Sequence, residues 1–462
     1  MWLGELEGLS GRNGGLLITD SSRRGLTVLL WIAGAVAVVI MARSGPAGWD
    51  ARIYEKADQF LRHGVDPYAA GIAEQEAFRD RLAASHLPSH LPSNQPGSSQ
   101  PASSEAEHAP FTYVYSPLTL PLLRLLVLLP DGLLNLFFWA AIAAGFFLEV
   151  WAGFQLASDD ERPWLALMLP AVAFFPGLVT DDVILSGNLA YILYGLILAA
   201  AVPGWKRGRW FWFYAAVLAA SIFKAQLLTL LAFPVLVGKR QWVPAAGTAA
   251  AGLLLIAAET RLWPDLFREY LTTIRIMFDV VPDFGYGPAG FVGRTLWLKG
   301  RPYSSATTIT YVAFAGAVGI MLLLLARRAK QKLSFESTRE VWIPVALVGT
   351  FLLNPRIMKY DLAAITIPML LIGWRALRHA LQRRSRTEPV AKPEQEHSTL
   401  AVILVGAGCF LVPNLMTVAG PAWWPVELAV LLVIFTTGIW SLEQAQDRGY
   451  KLELRRHSET NY

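Results

Sequence analysis

Asp50 stands directly behind the apolar stretch Leu26 to Ala42 and opens a polar segment running to Pro67-Tyr68. A carboxylate at such a boundary can act as a general base toward a hydroxyl, a role that contributes about 10²- to 10⁴-fold to a rate. Lys224 interrupts the apolar run between Trp210 and Lys239, and Arg356 and Lys359 follow Asn354-Pro355. Cations at such positions hold a phosphate and stabilise the charge that develops on it as a bond breaks. Each group also has a plainer reading. Asp50 sits where an N-cap would be, Arg356 and Lys359 can be interfacial anchors that snorkel, and Asp181-Asp182 can cap the helix that follows them. Lys224 has less room for a bland role, because a lysine at mid-span costs roughly 2.5–3.5 kcal/mol on insertion scales. His86, His90 and His108 read as scattered loop histidines, and the single cysteine, Cys409, excludes a disulfide and a cysteine-based metal site. There is no Gly-rich phosphate loop. No cofactor and no divalent metal is expected.

The elements that must position these groups are membrane spans. The chain has 462 residues, of which 54% are hydrophobic and 16% charged, and its mean hydropathy is +0.40. A soluble domain carries about 25% charged residues. Leu26 to Ala42, Leu133 to Val150 and Val183 to Val202 each approach the roughly 20 residues that cross about 30 Å of hydrocarbon. They lack the alternation of a barrel strand, so the expected class is an all-α polytopic membrane protein. Leu26 to Ala42, preceded by Arg23 and Arg24, reads as a retained first span and not as a cleaved signal. The net charge of +5 sets orientation and does not indicate nucleic acid.

Basic residues cluster at Arg23/Arg24, Lys206 to Arg209, Lys239/Arg240, Arg327 to Lys332, Arg375 to Arg386 and Lys451 to Arg456. Positive-inside bias assigns these to the cytoplasm and leaves the polar stretches 43–115 and 259–304 outside. Four apolar runs lie between 115 and Lys206, where parity demands an odd number of crossings. The run 116–129, with Pro117, Pro121 and Arg124, is therefore expected to be juxtamembrane or re-entrant. Both ends of 210–239 are basic, so that run must go out and return, with its reversal near Ser221, Lys224 and Gln226. Further spans are expected near 242–258, 305–326, 341–354, 361–377, 399–417 and 425–442, for about twelve in all. The organisation is then a cytoplasmic N-terminus 1–25, a transmembrane domain 26–380 with outer loops 43–131 and 259–304, a cytoplasmic linker 381–398, a C-terminal helix pair 399–442 and a cytoplasmic tail 443–462. The Pro- and Ser-rich stretch 83–110 reads as a flexible insert.

Within the first outer loop, Ile53, Tyr54, Ala57, Phe60 and Leu61 recur at helical spacing and predict an amphipathic helix of about three turns. Gly64 is its expected stop and Pro67 a bar to its continuation. A span, an outer Asp and a helix ending in His63-Gly64-Val65-Asp66-Pro67-Tyr68 resemble glycosyltransferase family 87, membrane mannosyltransferases of the GT-C fold class that use polyprenyl-phosphate sugars. Further stretches resemble its motifs in order. Phe111-Thr112-Tyr113-Val114-Tyr115-Ser116-Pro117-Leu118 is similar to F-x-Y-x-P-L with one extra residue, and Leu185-Ser186-Gly187-Asn188-Leu189 to G-Q-x-N. Ile222-Phe223-Lys224-Ala225-Gln226 is similar to L-K-P-x-P without the prolines, and Asn354 to Tyr360 to S-P-x-S-W-x-H-Y with Lys359 in place of His.

The resemblance spans roughly residues 45–375 and implies a GT-C-like bundle with juxtamembrane helices in the first outer loop. It implies inverting sugar transfer on the outer face of the plasma membrane, mannose being the family's commonest sugar. The donor would be a polyprenyl-phosphate sugar and the acceptor a lipid or glycan. Asp50 becomes the base, Lys224, Arg356 and Lys359 the phosphate ligands, and Tyr54, Asp58, Asp181, Asp182, Asn188 and Tyr360 the acceptor- or sugar-binding residues. Two other classes remain open, a transporter or lipid flippase and a non-catalytic membrane assembly protein. A Lys224 at an outer helix end favours transfer, and one at the midplane favours transport.

Overall fold

The computed structural model describes residues 20–44, 49–84, 111–173, 188–280, 285, 287–299, 304–332, 338–385 and 428–444. These are all-helical, with no strand among the described residues. Four helices are long and apolar enough to cross a membrane: Leu136–Phe154, Trp242–Leu262, Ser305–Gln331 and Tyr360–Leu381. Shorter apolar helices accompany them, Phe211–Ser221, Ala225–Val237, Glu340–Leu352 and Leu428–Gln444 among them. Several turn apolar side chains outward: Leu253 and Leu254 are 63% and 69% exposed, Ile309 65% and Ile320 63%. Continuous apolar surface of that kind is costly in water and natural against lipid.

In chain order the helices are α1 (Asp20–Ser44), α2 (Trp49–Arg62), α3 (Pro67–Ala84), α4 (Thr119–Val127), α5 (Asp131–Phe154), α6 (Arg162–Ala173) and α7 (Ala190–Arg207). They continue with α8 (Phe211–Ser221), α9 (Ala232–Val237), α10 (Trp242–Leu262), α11 (Pro264–Val280), α12 (Pro288–Leu298), α13 (Ser305–Lys332), α14 (Ile343–Leu352) and α15 (Ala363–Ser385). The last described helix is α16 (Leu428–Gln444).

Four of the basic clusters, around Lys206, Lys239, Lys330 and Arg375, gather at one end of this bundle. Lys206 donates to Gln155, and Arg375 holds Glu161, in the same turn after α5, through two bonds of 2.7 and 2.6 Å. Arg378 pairs with Asp160 at 2.6 Å. Lys330 caps the end of α9 by donating to the carbonyls of Val235 and Gly238 at 3.0 and 2.7 Å. Helix α7 stops here at Gly208, left-handed at φ 71°, with Lys206 and Arg207 in its last turn, where their charge suits the helix dipole.

The opposite end is built from α2, α3, α4, α11 and the extended segment 111–118. Tyr54, Ala57, Tyr68, Phe111, Tyr113, Tyr115, Leu120 and Leu123 form its apolar core. The amphipathic helix expected after the first span is α2, and its buried face carries Tyr54 and Ala57. Gly64 ends it in the left-handed region at φ 71°. Helix α2 does not continue through Pro67, which instead opens a new helix. Pro67 is the first residue of α3, whose start is capped by Asp66, with the Tyr68 N–H on Oδ1 at 2.8 Å. In the segment 111–118, Phe111, Tyr113 and Tyr115 alternate inward, as an extended chain requires. Glu74 of α3 holds Phe111 N at 2.9 Å, and the Tyr68 hydroxyl donates to Tyr115 O at 2.6 Å. Short α4 does not cross the bundle: Leu120 and Leu123 on it and Leu134 and Phe138 early in α5 share this same core.

The run 210–239 reverses as its basic ends demand. Helix α8 stops at Ser221, Lys224 is extended at φ −141° and ψ 95°, and a 3₁₀ segment, Ala225–Leu231, leads into α9. The returning arm brings Phe233 to 5.7 Å from Trp210 and 6.2 Å from Phe213. At the turn, Ser221 Oγ bonds back to Leu218 O at 2.7 Å. Ser116 Oγ satisfies the freed Ile222 carbonyl at 2.9 Å, as an unpaired helix end needs.

Helices α5 and α7 meet backbone to backbone. A Cβ on Gly195 would stand 2.7 Å from the Gly145 carbonyl oxygen. Gly195→Ala is expected to push the two helices apart and cost about 1–3 kcal/mol, read as a lower midpoint of thermal unfolding in detergent. Gly247→Ala on α10, where nothing lies within 4 Å, is the matched control and should leave that midpoint unchanged or slightly higher.

Candidate active site

Helix α7 and Asn188, two residues before it, form the spine of a polar cluster inside the non-basic end. Asn188, Tyr191 and Tyr194 follow one another at three-residue spacing, so they share a face. Each bonds a buried carboxylate. Asn188 donates through Nδ2 to Asp50 Oδ2, while its Oδ1 accepts the Ala190 N–H at 2.8 Å. Tyr191 bonds Glu149 of α5. Tyr194 donates to Asp361 Oδ1 at 2.9 Å.

Asp50 is the second residue of α2 and 3% exposed. Its carboxylate is turned into the bundle and held by Asn188, which sets it apart from a solvent-facing cap. It lies close enough to Tyr54, Tyr115 and Tyr360 for its charge to act on all three phenols. The Tyr54 ring is 4.9 Å from Tyr115 and stacks on Phe138 at 6.0 Å, so aromatic surface walls the carboxylate on that side.

Lys224 and Arg356 approach the same cluster from two chain turns. Lys224 Nζ is 3.8 Å from Asp361 Oδ1 and 4.0 Å from the centre of the Tyr360 ring, a cation–π geometry. Its side chain is only 11% exposed. Gln226 donates to Arg356 O at 3.4 Å, tying the turn after α8 to the turn after α14. Asn354 shapes that second turn by accepting the Arg356 N–H at 3.2 Å. The Arg356 charge acts on Tyr360 and Asp361. Gly285, at φ 74°, lies on this turn so closely that a Cβ would meet Ile357 O at 2.6 Å.

The structure thus brings together Asp50, Tyr54, Asn188, Lys224, Arg356 and Tyr360 from the sequence-derived set. Asp58 stands apart: it is 4% exposed, and its carboxylate is taken by Arg62 one turn along α2 at 2.7 Å. Asp181 and Asp182 lie outside the described residues, as does the side chain of Lys359. Among the described residues no group of three or more His, Cys, Asp or Glu side chains is placed to hold a metal ion.

Asp361 was missed by sequence reasoning. It is 0% exposed, accepts hydrogen bonds from Met358 N at 2.8 Å and from the Tyr194 hydroxyl at 2.9 Å, and faces the Lys224 ammonium at 3.8 Å. Read locally, it opens a helix as many aspartates do, and its partners Tyr194 and Lys224 lie far away in the sequence. Lys224, expected from the sequence as a phosphate ligand beside Arg356 and Lys359, has a carboxylate partner in the structure. It is one half of a buried ion pair.

The chain matches no family model, no curated protein and no solved structure.

A carboxyl pair also lies at this end of the bundle. Glu269 of α11 faces Asp66 at the start of α3, and Tyr270 packs edge-on to Tyr68 at 5.9 Å. The shared hydrogen bond with Asp66, then burial, then the Asp66 and Asp265 charges raise the Glu269 carboxyl to about 7. A carboxyl raised in the folded state stabilises fully below its unfolded value near 4.5 and loses that contribution as pH rises through about 7. The α3–α11 contact should therefore loosen between about pH 4.5 and 7, seen as faster amide exchange in 67–84 and 264–280, with all pH values corrected to one intrinsic exchange rate. Glu269→Gln should flatten that dependence.

Proposed function

We propose that the chain is a membrane glycosyltransferase, with about twelve spans of GT-C type. It moves a sugar, mannose foremost, from a polyprenyl-phosphate donor to a lipid or glycan acceptor. The observation that carries this reading is the Asp50 carboxylate, buried beside Tyr54 and Tyr360 and oriented by Asn188, in one cluster with the cations Lys224 and Arg356. The motif resemblance supports it from the sequence side. Clustering of the basic residues at the opposite end supports an outward-facing site in the plasma membrane.

In this mechanism an Asp50 oxygen takes the acceptor hydroxyl proton. The freed oxygen bonds the anomeric carbon as the bond from that carbon to the phosphate oxygen breaks, and its electron pair leaves on the phosphate. Inversion follows from attack opposite the leaving group. Arg356 meets the charge that develops on the phosphate, joined by Lys224 as it shifts from Asp361. Tyr54 and Tyr360 offer aromatic faces and hydroxyls to the sugar.

A second reading, transport, draws on the break in the 211–237 hairpin at Lys224, since broken helices with an ionisable group are a transporter feature. One experiment separates the two. Purified protein is given radiolabelled polyprenyl-phosphate mannose with membrane lipid extract, and the label is followed. A new labelled lipid or glycan supports transfer. Donor recovered unchanged across a panel of polyprenyl-phosphate sugars and extracts, alongside its movement across a liposome membrane, would sink it.

A further inference from the structure

Glu149 has no part in the mechanism above and sits in the last third of α5, within a stretch that is apolar from Leu136 onward apart from this residue. It is 6% exposed. Tyr191 is its hydrogen-bond partner, and Oε1 has no partner among the described residues. No cationic side chain among the described residues acts on it. An uncompensated carboxylate in such a place is costly enough that something must balance it.

The surroundings are built to keep a space there. Gly145 and Gly153, one turn to either side of Glu149 on α5, are both points of close approach to other helices. Gly145 lies against the backbone of α7 at Gly195, and a Cβ on Gly153 would meet Ile367 of α15 at 2.5 Å. Between these contacts lies a cavity of about 30 Å³, lined by Glu149, Tyr191, Ala364, Thr366 and Pro368 among others. That is room for one or two water-sized groups.

Its lining is mostly apolar, and the polar side chains on it are those of Glu149, Tyr191, Thr366 and Trp205. The Thr366 hydroxyl donates to Leu362 O at 3.0 Å and so keeps its lone pairs for another partner. Pro368 lies inside α15 and has no N–H, so the Ala364 carbonyl is released from the helical ladder. The Trp205 indole, whose Nε1 has no partner among the described residues, also lines the cavity and can donate to a water there.

We propose that this cavity is a binding site for one small monovalent cation of the sodium class. Glu149 supplies the charge, and Tyr191, Thr366, the Ala364 carbonyl and a water supply neutral oxygen ligands. One carboxylate balances one positive charge, which favours a monovalent ion over a divalent one. Oxygen-only ligands in a space this small favour a hard ion. The bound ion would lock α5, α7 and α15 together one turn beneath the Asp50 cluster. The inference stands apart from the transferase reading, since it uses none of the proposed catalytic residues.

The test uses the full chain in lipid nanodiscs at fixed pH and ionic strength, with sodium chloride exchanged for N-methylglucamine chloride. A hydrophobic carbodiimide, which attacks carboxyls in apolar surroundings, should label Glu149 in N-methylglucamine. Sodium at ten times its dissociation constant should slow that labelling by roughly tenfold, as mass action requires. Thermal unfolding should shift upward with sodium in the wild type and not in Glu149→Gln. Labelling indifferent to sodium and potassium alike would overturn the proposal, leaving a protonated acid with water in its place. A sodium-dependent shift persisting in Glu149→Gln would do the same. The labelling readout uses wild-type protein and so holds even if the variant fails to fold.

Discussion

Asp50→Asn is expected to lower sugar transfer by at least about 100-fold, the smallest contribution usual for a general base. The protein should stay folded and still bind a polyprenyl-phosphate donor. Asn keeps the shape of Asp50, so its position in the wall of Tyr54, Tyr115 and Tyr360 is retained. What it loses is basicity. The Asn188 amide now faces another amide, which can offer its carbonyl oxygen, so the link between α2 and α7 survives. Asn188→Ala is the instructive companion: it leaves the Asp50 carboxylate chemically intact but frees its orientation. A smaller loss of turnover than in Asp50→Asn, with an altered pH–rate profile, is expected of a positioning residue. Were Asp50→Asn to retain more than about a tenth of wild-type turnover, Asp50 would not be the base.

Features that rest on local pattern or charge grouping were legible in the sequence. The 210–239 hairpin followed from basic residues at both ends, and its break falls on Lys224, where the polar residues were. The position of α4 at one end of the bundle followed from parity. Helix α2 and its stop at Gly64 followed from spacing and from glycine's tolerance of positive φ. The features that stayed hidden depend on partners distant in the chain. Helix α3 spreads its apolar and polar residues around its circumference, so periodicity gives no signal; it is held by Glu74 and Gln75 bracing the segment 111–112. Asp361 reads as a helix start until Tyr194, 167 residues away, is seen to donate to it. A signal did exist for the spine of the site: Asn188, Tyr191 and Tyr194 place hydrogen-bonding groups at three-residue intervals leading into an apolar helix. Glu149 carried the same warning, as the one acid in the interior of α5.

Lys224→Met should be the most damaging single change in the cluster for stability, because it strands Asp361. Removing one partner of a buried ion pair costs about 3–5 kcal/mol. The lower part of that range is expected, since Tyr194 and the Met358 N–H still bond the Asp361 carboxylate at 2.9 and 2.8 Å. The measurement is thermal unfolding of purified protein in detergent, together with donor affinity. A single variant cannot separate a structural lysine from a phosphate ligand, because loss of fold also removes binding. The pair Lys224→Met with Asp361→Asn can. With both charges gone, the neutral amide still accepts from Tyr194, and most of the lost stability should return. Donor affinity should not return, because the phosphate would still lack its cation. A double variant that regains both stability and donor binding would make Lys224 a purely structural charge and leave Arg356 as the cation that meets the phosphate. A double variant that is stable but at least about tenfold weaker for donor would assign Lys224 two roles in sequence, paired with Asp361 at rest and with phosphate when the donor arrives. The 3.8 Å separation of the pair is longer than a tight salt bridge, as suits an ammonium that must exchange one anion for another.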